Sequence, residues 1–283
     1  MRKVFFLLFL IVIVFTQTQC NSAYKKLLKG TDMTVKMAAA DNYYSKKDFA
    51  HALQLYEQLA NFYFGQPEDE KIQYCLGYCN YNLGSLDLAS YIFKTYSENY
   101  PNSKHAEDAF YMYAYCHYLN SQGVDLDQGS TIKAIDELQV YINMYPSNAQ
   151  RITEANALID KLRANLTMKA YKNAKLYYQI EDYKAAIVSF RNVLKDYPDI
   201  EQKEEIDFII LKSHYLLALN SADEAIIDGI YRKLKKERLE NSIEAYQLFK
   251  ETWPQSKYMV DAAIIYKKTQ QSLESINKIS INN

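Results

Sequence analysis

The residues able to do chemistry are few, and their spacing argues against most of it. Cys75 and Cys79 lie four apart, and Cys116 follows. On one helix the four-residue separation strains a disulfide, and an odd trio makes a poor disulfide framework. All three read as small core residues. The histidines (His51, His105, His117, His214) stand at unrelated positions and form no cluster; each reads as a solvated or satisfied helix residue. Asp125-Leu126-Asp127-Gln128-Gly129-Ser130 has the look of a calcium loop, but the turn glycine is displaced and the twelfth position is Asp136 rather than Glu. A loop with helix-capping residues is the expectation. The chain has no G-x-S-x-G, H-E-x-x-H, G-x-G-x-x-G or P-loop motif. The reading is therefore no enzyme, no cofactor and no metal.

Cys20 stands apart. Arg2 and Lys3 precede an unbroken apolar run of 12 residues, Val4 to Phe15. That length is short for a membrane span and suits the core of a secretory signal. Thr16-Gln17-Thr18-Gln19 then leads to Cys20, where a bacterial lipoprotein would be cut and acylated, although Gln19 occupies a place usually held by a small residue. The expectation is a signal peptide over 1–19, lipidation at Cys20 and a tether over 20–32. A cleaved soluble protein and an uncleaved anchor are the alternatives. Asn21 is not the Asp that commonly retains such proteins in the inner membrane, and no acidic run follows to mark surface export. The expected address is the outer membrane, lipid-anchored and facing the periplasm. No second apolar stretch approaches the ~18 residues of a span.

Tyrosine is the compositional outlier, at 27 against a single Trp. Tyr74, Tyr78 and Tyr81 follow spacings of four and three, as do Tyr111, Tyr115 and Tyr118. The same spacing holds for Tyr171, Lys175 and Tyr178, and for Met37, Asp41 and Tyr44. On a helix these spacings return to one side. The candidate peptide-binding residues are thus Tyr44, Tyr74, Tyr78, Tyr81, Tyr111, Tyr115, Tyr118, Tyr171 and Tyr178 on one strip. Core packing would give the same pattern. The hydroxyls, which a dry core does not favour, tip the reading towards contact with an extended or aromatic-tipped peptide. A net charge of -1 gives no reason to expect nucleic acid. The basic run Arg232-Lys233-Leu234-Lys235-Lys236-Glu237-Arg238 reads as a solvated helix face, or else as a contact for acidic headgroups or an acidic partner.

The elements that must position these residues are repeats. Seven Gly and five Pro are too few for a β-sandwich or a nucleotide-binding α/β fold. Tyr100-Pro101, Tyr145-Pro146, Tyr197-Pro198 and Trp253-Pro254 each close an amphipathic stretch. Gly77, Ala89, Phe93, Tyr96 and Pro101 fall at the same offsets as Ala174, Ala186, Phe190, Val193 and Pro198. That is the spacing of the tetratricopeptide (TPR) motif, two antiparallel helices per unit. Small residues sit where the helices cross, and Phe93 and Phe190 fill the groove beside them. Units are expected at about 33–66, 70–104, 107–148, 167–200 and 205–254, with a closing helix at 257–275. The third unit carries an insertion around Ser121–Asp125, and 149–166 continues as helix. The fold class is all-α: an α-solenoid of about five helix-turn-helix units.

With the lipobox cysteine, the tether and an extended turn in the third unit, the chain resembles the BamD family of outer-membrane β-barrel assembly lipoproteins. The segment Asp127-Gln128-Gly129-Ser130-Thr131-Ile132-Lys133-Ala134-Ile135 and the repeat ends at 100–103 and 145–148 carry the resemblance. Phe64 in place of the first unit's Pro, the irregular fifth unit and Gln19 depart from it. The resemblance implies that C-terminal units dock on a POTRA-containing barrel-inserting protein, and that N-terminal units receive unfolded outer-membrane proteins. A TPR accessory lipoprotein that scaffolds peptidoglycan or division enzymes is the alternative.

Overall fold

The computed structural model describes residues 23–121, 123–220 and 229–281. The signal peptide and Cys20 lie outside the described residues. Among those described, every regular element is a helix. In chain order they are α1 (23–29), α2 (Met33–Ser45), α3 (Phe49–Tyr63), α4 (Pro67–Asn82), α5 (Leu86–Asn99) and α6 (Ala106–Leu119). Then come α7 (Gly129–Met144), α8 (Ala149–Gln179), α9 (Tyr183–Asp196), α10 (Lys203–Leu219), α11 (Gly229–Thr252) and α12 (Met259–Ile281).

Local chemistry sets the ends. Asp32 caps α2 by accepting from the Thr34 and Val35 amides at 3.0 and 3.1 Å. Asp182 caps α9 through the Ala185 amide at 3.1 Å. Such caps satisfy donors that have no partner within the helix. Pro67 opens α4, and Glu68, Asp69 and Glu70 in its first turn meet the positive end of the helix dipole. The Tyr-Pro and Trp-Pro pairs lie just past the ends of α5, α7, α9 and α11. No Gly or Pro interrupts 149–179, so α8 runs through from the 149–166 stretch into the helix of Tyr171 and Tyr178. Residues 23–29, expected as tether, instead form α1. Tyr24, Leu27 and Leu28 share one face, and Tyr24 is buried in the first core cluster.

The chain divides into two compact bodies, one ending at Leu162 and the other starting at Arg163. In the first, Leu55, Tyr56, Leu59 and Ile72 form one cluster, and Phe93, Tyr96, Leu138, Tyr141 and Leu162 another. In the second, Ile187, Phe190, Ile206 and Ile210 form a cluster, and Leu211, Phe249, Ala262 and Ile265 a smaller one. At the crossing of α4 and α5 a Cβ on Gly77 would stand 2.6 Å from the Phe93 ring. Only a glycine admits that approach.

Candidate peptide-binding surface

In the N-terminal body the tyrosines of α4 and α6 form a continuous ladder of rings. Tyr74 meets Tyr78 edge-on at 5.0 Å, Tyr78 meets Tyr81 at 6.3 Å, and Tyr81 meets Tyr115 at 6.3 Å. Tyr115 stacks on Tyr111 at 5.9 Å and on Tyr118 at 5.6 Å. These are favourable edge and offset arrangements, and they stiffen the surface.

The ladder has two chemically different ends. Asp108, in the first turn of α6, accepts from the Tyr74 hydroxyl at 2.8 Å and from the Tyr78 hydroxyl on the same carboxylate oxygen. Its other oxygen takes the Arg151 guanidinium at 2.7 Å. That guanidinium also lies 4.2 Å from the centre of the Tyr111 ring, a cation–π contact. His105 stacks on Tyr74 at 4.3 Å. Burial, then the bond to Asp108, pushes the Tyr74 and Tyr78 phenols well above their ordinary range. Tyr111 is itself a core residue. At the other end Tyr81, Tyr115 and Tyr118 are partly buried, as Tyr74 and Tyr78 are, but their hydroxyls make no hydrogen bond among the described residues. Tyr44 lies near enough to Tyr74 for the two phenols to influence each other, with its ring against Phe49 and Tyr56.

Tyr171 and Tyr178 belong to the C-terminal body. Tyr171 is buried and donates to Glu205 at 2.8 Å, beside Lys175 at 3.1 Å from the same oxygen. Burial would raise the Glu205 carboxyl, but these two donors outweigh it and hold it below the usual range. Tyr178 packs on Tyr183 at 5.9 Å, under Lys212.

The carboxylates are what the tyrosine spacing alone did not reveal. Tyr56 is bound to Asp41, Tyr96 to Glu70 and Tyr141 to Glu107. A signal was nonetheless present: Tyr74 precedes Asp108, and Tyr171 precedes Glu205, by 34 residues in each case. That is one TPR period, so each tyrosine faces an acid at the start of a later helix.

The remaining groups are structural in setting. Cys75, Cys79 and Cys116 are free and buried. Burial pushes the Cys79 and Cys116 thiols up to about 12, which leaves little thiolate to react. His117 is buried between Ser90, at 2.9 Å, and Glu137. In the 125–130 loop the Gly129 amide bonds Asp127 at 2.9 Å. The Gln128 side chain donates to the Gly123 and Leu126 carbonyls and accepts from Thr131 at 2.8 Å. The run at 232–238 lies on α11, where Lys236 approaches Glu240 at 3.9 Å. A cavity of about 280 Å³ between α9, α10 and α11 is lined by Arg191, Asp207, His214 and Glu244 among apolar neighbours.

Helix pairs with small residues at their crossings define a tandem-repeat protein of the TPR class. The chain belongs to the YfiO family of outer membrane lipoproteins, whose model matches residues 31–228. It is similar to the outer membrane protein assembly factor BamD of Caulobacter vibrioides, at 27% identity over 121 residues. That match takes in 43% of this chain and 39% of the relative, so it spans about two fifths of the relative's length. Solved structures with a likeness to it include the TPR2AB domain of yeast Sti1 in its pHSP90 complex, at 12% identity and a TM-score of 0.39, covering 84% of this chain and 98% of that one. Another is a TPR-repeat protein of Bacteroides fragilis, at 14% identity and a TM-score of 0.36, covering 86% and 100%.

Proposed function

We propose that this protein is a lipid-anchored TPR scaffold of the outer-membrane β-barrel assembly machine, held by Cys20 and facing the periplasm. In this reading it binds a POTRA-containing barrel-inserting protein and unfolded outer-membrane proteins, and it works by holding them rather than by catalysis. The observation that carries the reading is the family match across 31–228. Pull-down from solubilised envelopes tests it, with a POTRA-bearing barrel protein as the expected partner. Recovery of peptidoglycan synthases or Tol-Pal-like proteins in its place would favour the accessory-scaffold alternative. Replacing Cys20 with Ala should move the protein out of the membrane fraction.

Within the ladder, the grip for an aromatic-tipped peptide is assigned to Tyr81, Tyr115 and Tyr118. Their rings are partly open and their hydroxyls are uncommitted, whereas Tyr74 and Tyr78 are engaged by Asp108. Changing all three to Ala should weaken peptide binding at least tenfold, with helical circular dichroism retained.

A further inference from the structure

We infer that the corner where α1 meets the α2–α3 turn is a docking face for anionic lipid headgroups, so that the membrane holds this protein by its surface as well as by an acyl chain. The inference rests on the proposed anchor at Cys20. Tyr24 fixes the start of the described chain against this corner. Its hydroxyl donates to the His51 carbonyl at 3.0 Å and to Gln54 at 3.2 Å. Its ring lies 5.6 Å from Tyr43 and 4.2 Å from His51. Cys20 is four residues away, and four peptide units span at most about 14 Å. Any bilayer holding a lipid on Cys20 therefore lies close to this corner.

The corner is basic. Lys25 and Lys26 on α1, and Lys46 and Lys47 in the turn after α2, are all exposed. None of the four forms an ion pair among the described residues. The acids that bear on Tyr24 are Asp48 and Glu57, and Asp48 is engaged by His51 at 2.8 Å. The turns inside the next two helix pairs lack this charge. Leu83-Gly84-Ser85 is uncharged, and the 120–128 loop carries Asp125 and Asp127. Positive charge is therefore concentrated at the turn beside the proposed anchor and absent from its equivalents. Lys47 also holds φ +61, where the turns inside later helix pairs use Gly84 at φ +79 and Glu181 at φ +64. Basic residues at an anionic surface each contribute roughly fivefold in partitioning, within a Debye length. With Lys29 of α1, and offset by Asp32, Asp48 and Glu57, they leave an excess of two positive charges, roughly a tenfold gain or more.

The test uses the mature chain from position 20 onward with Cys20→Ser, which carries neither signal peptide nor acyl chain, floated with vesicles. Neutral phosphatidylcholine vesicles report any apolar binding, and vesicles that also contain phosphatidylglycerol report the headgroup term. At least tenfold stronger flotation on the anionic vesicles is expected at low salt. It should fall to the neutral level in Lys25→Glu/Lys26→Glu/Lys46→Glu/Lys47→Glu, and in the gentler Gln variant at the same four positions if the Glu variant loses its circular dichroism. Equal flotation on both vesicles would overturn the inference. So would a folded variant that floats unchanged, or one that keeps its lipid binding but loses an acidic protein partner. Failure of the anchor reading is read separately, by fractionating Cys20→Ala from cells.

Discussion

The two bodies solve the same packing problem with different chemistry. Up to Leu162, buried and half-buried tyrosines are tied to carboxylates: Tyr56 to Asp41, Tyr74 and Tyr78 to Asp108, Tyr96 to Glu70, and Tyr141 to Glu107. From Arg163 onward the main cluster is chiefly aliphatic, with Ile187, Val193, Ile200, Ile206, Ile209 and Ile210 around Phe190. Aliphatic packing is forgiving, because it asks only for volume. A phenol bound to a carboxylate asks for a particular partner at a particular distance, and it exposes a wide rigid ring besides. The N-terminal body therefore trades tolerance for a stiff aromatic surface.

The largest effect that would test this contrast is at Asp108. Asp108→Ala strands two hydroxyls and a guanidinium and should cost about 3 kcal/mol in urea unfolding. A cost near zero would show that the carboxylate lattice is incidental. The second effect belongs to the C-terminal body and to pH. Burial, then the Arg191 charge, lowers His214 from its ordinary value to about 4. The unfolded chain binds a proton near pH 6.5 that the folded chain refuses until about 4. Stability is thus full above pH 6.5 and falls as acid is added through that window, by about 2–3 kcal/mol. His214→Gln should flatten that slope, and an unchanged slope would assign the acid sensitivity elsewhere.

The third test compares matched crossings. Gly77→Ala drives a methyl into the Phe93 ring and should cost about 2 kcal/mol. In the other body Ala174 already holds a methyl beside Phe190. There Ala174→Gly should cost about 1 kcal/mol through backbone entropy. The smallest effect is Glu205→Gln, below about 1 kcal/mol, because Lys175 and Glu205 are both partly solvated. A Glu205 effect as large as that of Asp108 would erase the distinction between the bodies.

Much of the fold was legible because it rests on short-range rules. Proline stops the helices at Tyr100, Tyr145, Tyr197 and Trp253, and the matched offsets from Gly77 and Ala174 give the pairing. α1 reads as a tether in sequence because four apolar residues in seven give too short a pattern until α2 and α3 offer Tyr24 a place to bury. The tyrosine strip was legible as a face but not as two halves. The division depends on Asp108 and Arg151, which lie outside the tyrosine pattern and reach it only through tertiary contact. Asp108 could have been found from its 34-residue separation from Tyr74. Arg151, whose reach depends on where α8 begins, could not.

Trp253 is the single tryptophan, and its indole N–H is held by Asp207 at 2.8 Å within the C-terminal body. Red-edge excitation therefore lights one half of the molecule alone, while phenol absorbance is weighted towards the other, whose rings are closely coupled. The chain carries a built-in pair of optical reporters. An unfolding transition seen in tyrosine but not in tryptophan would mark the moment when the aromatic half lets go by itself.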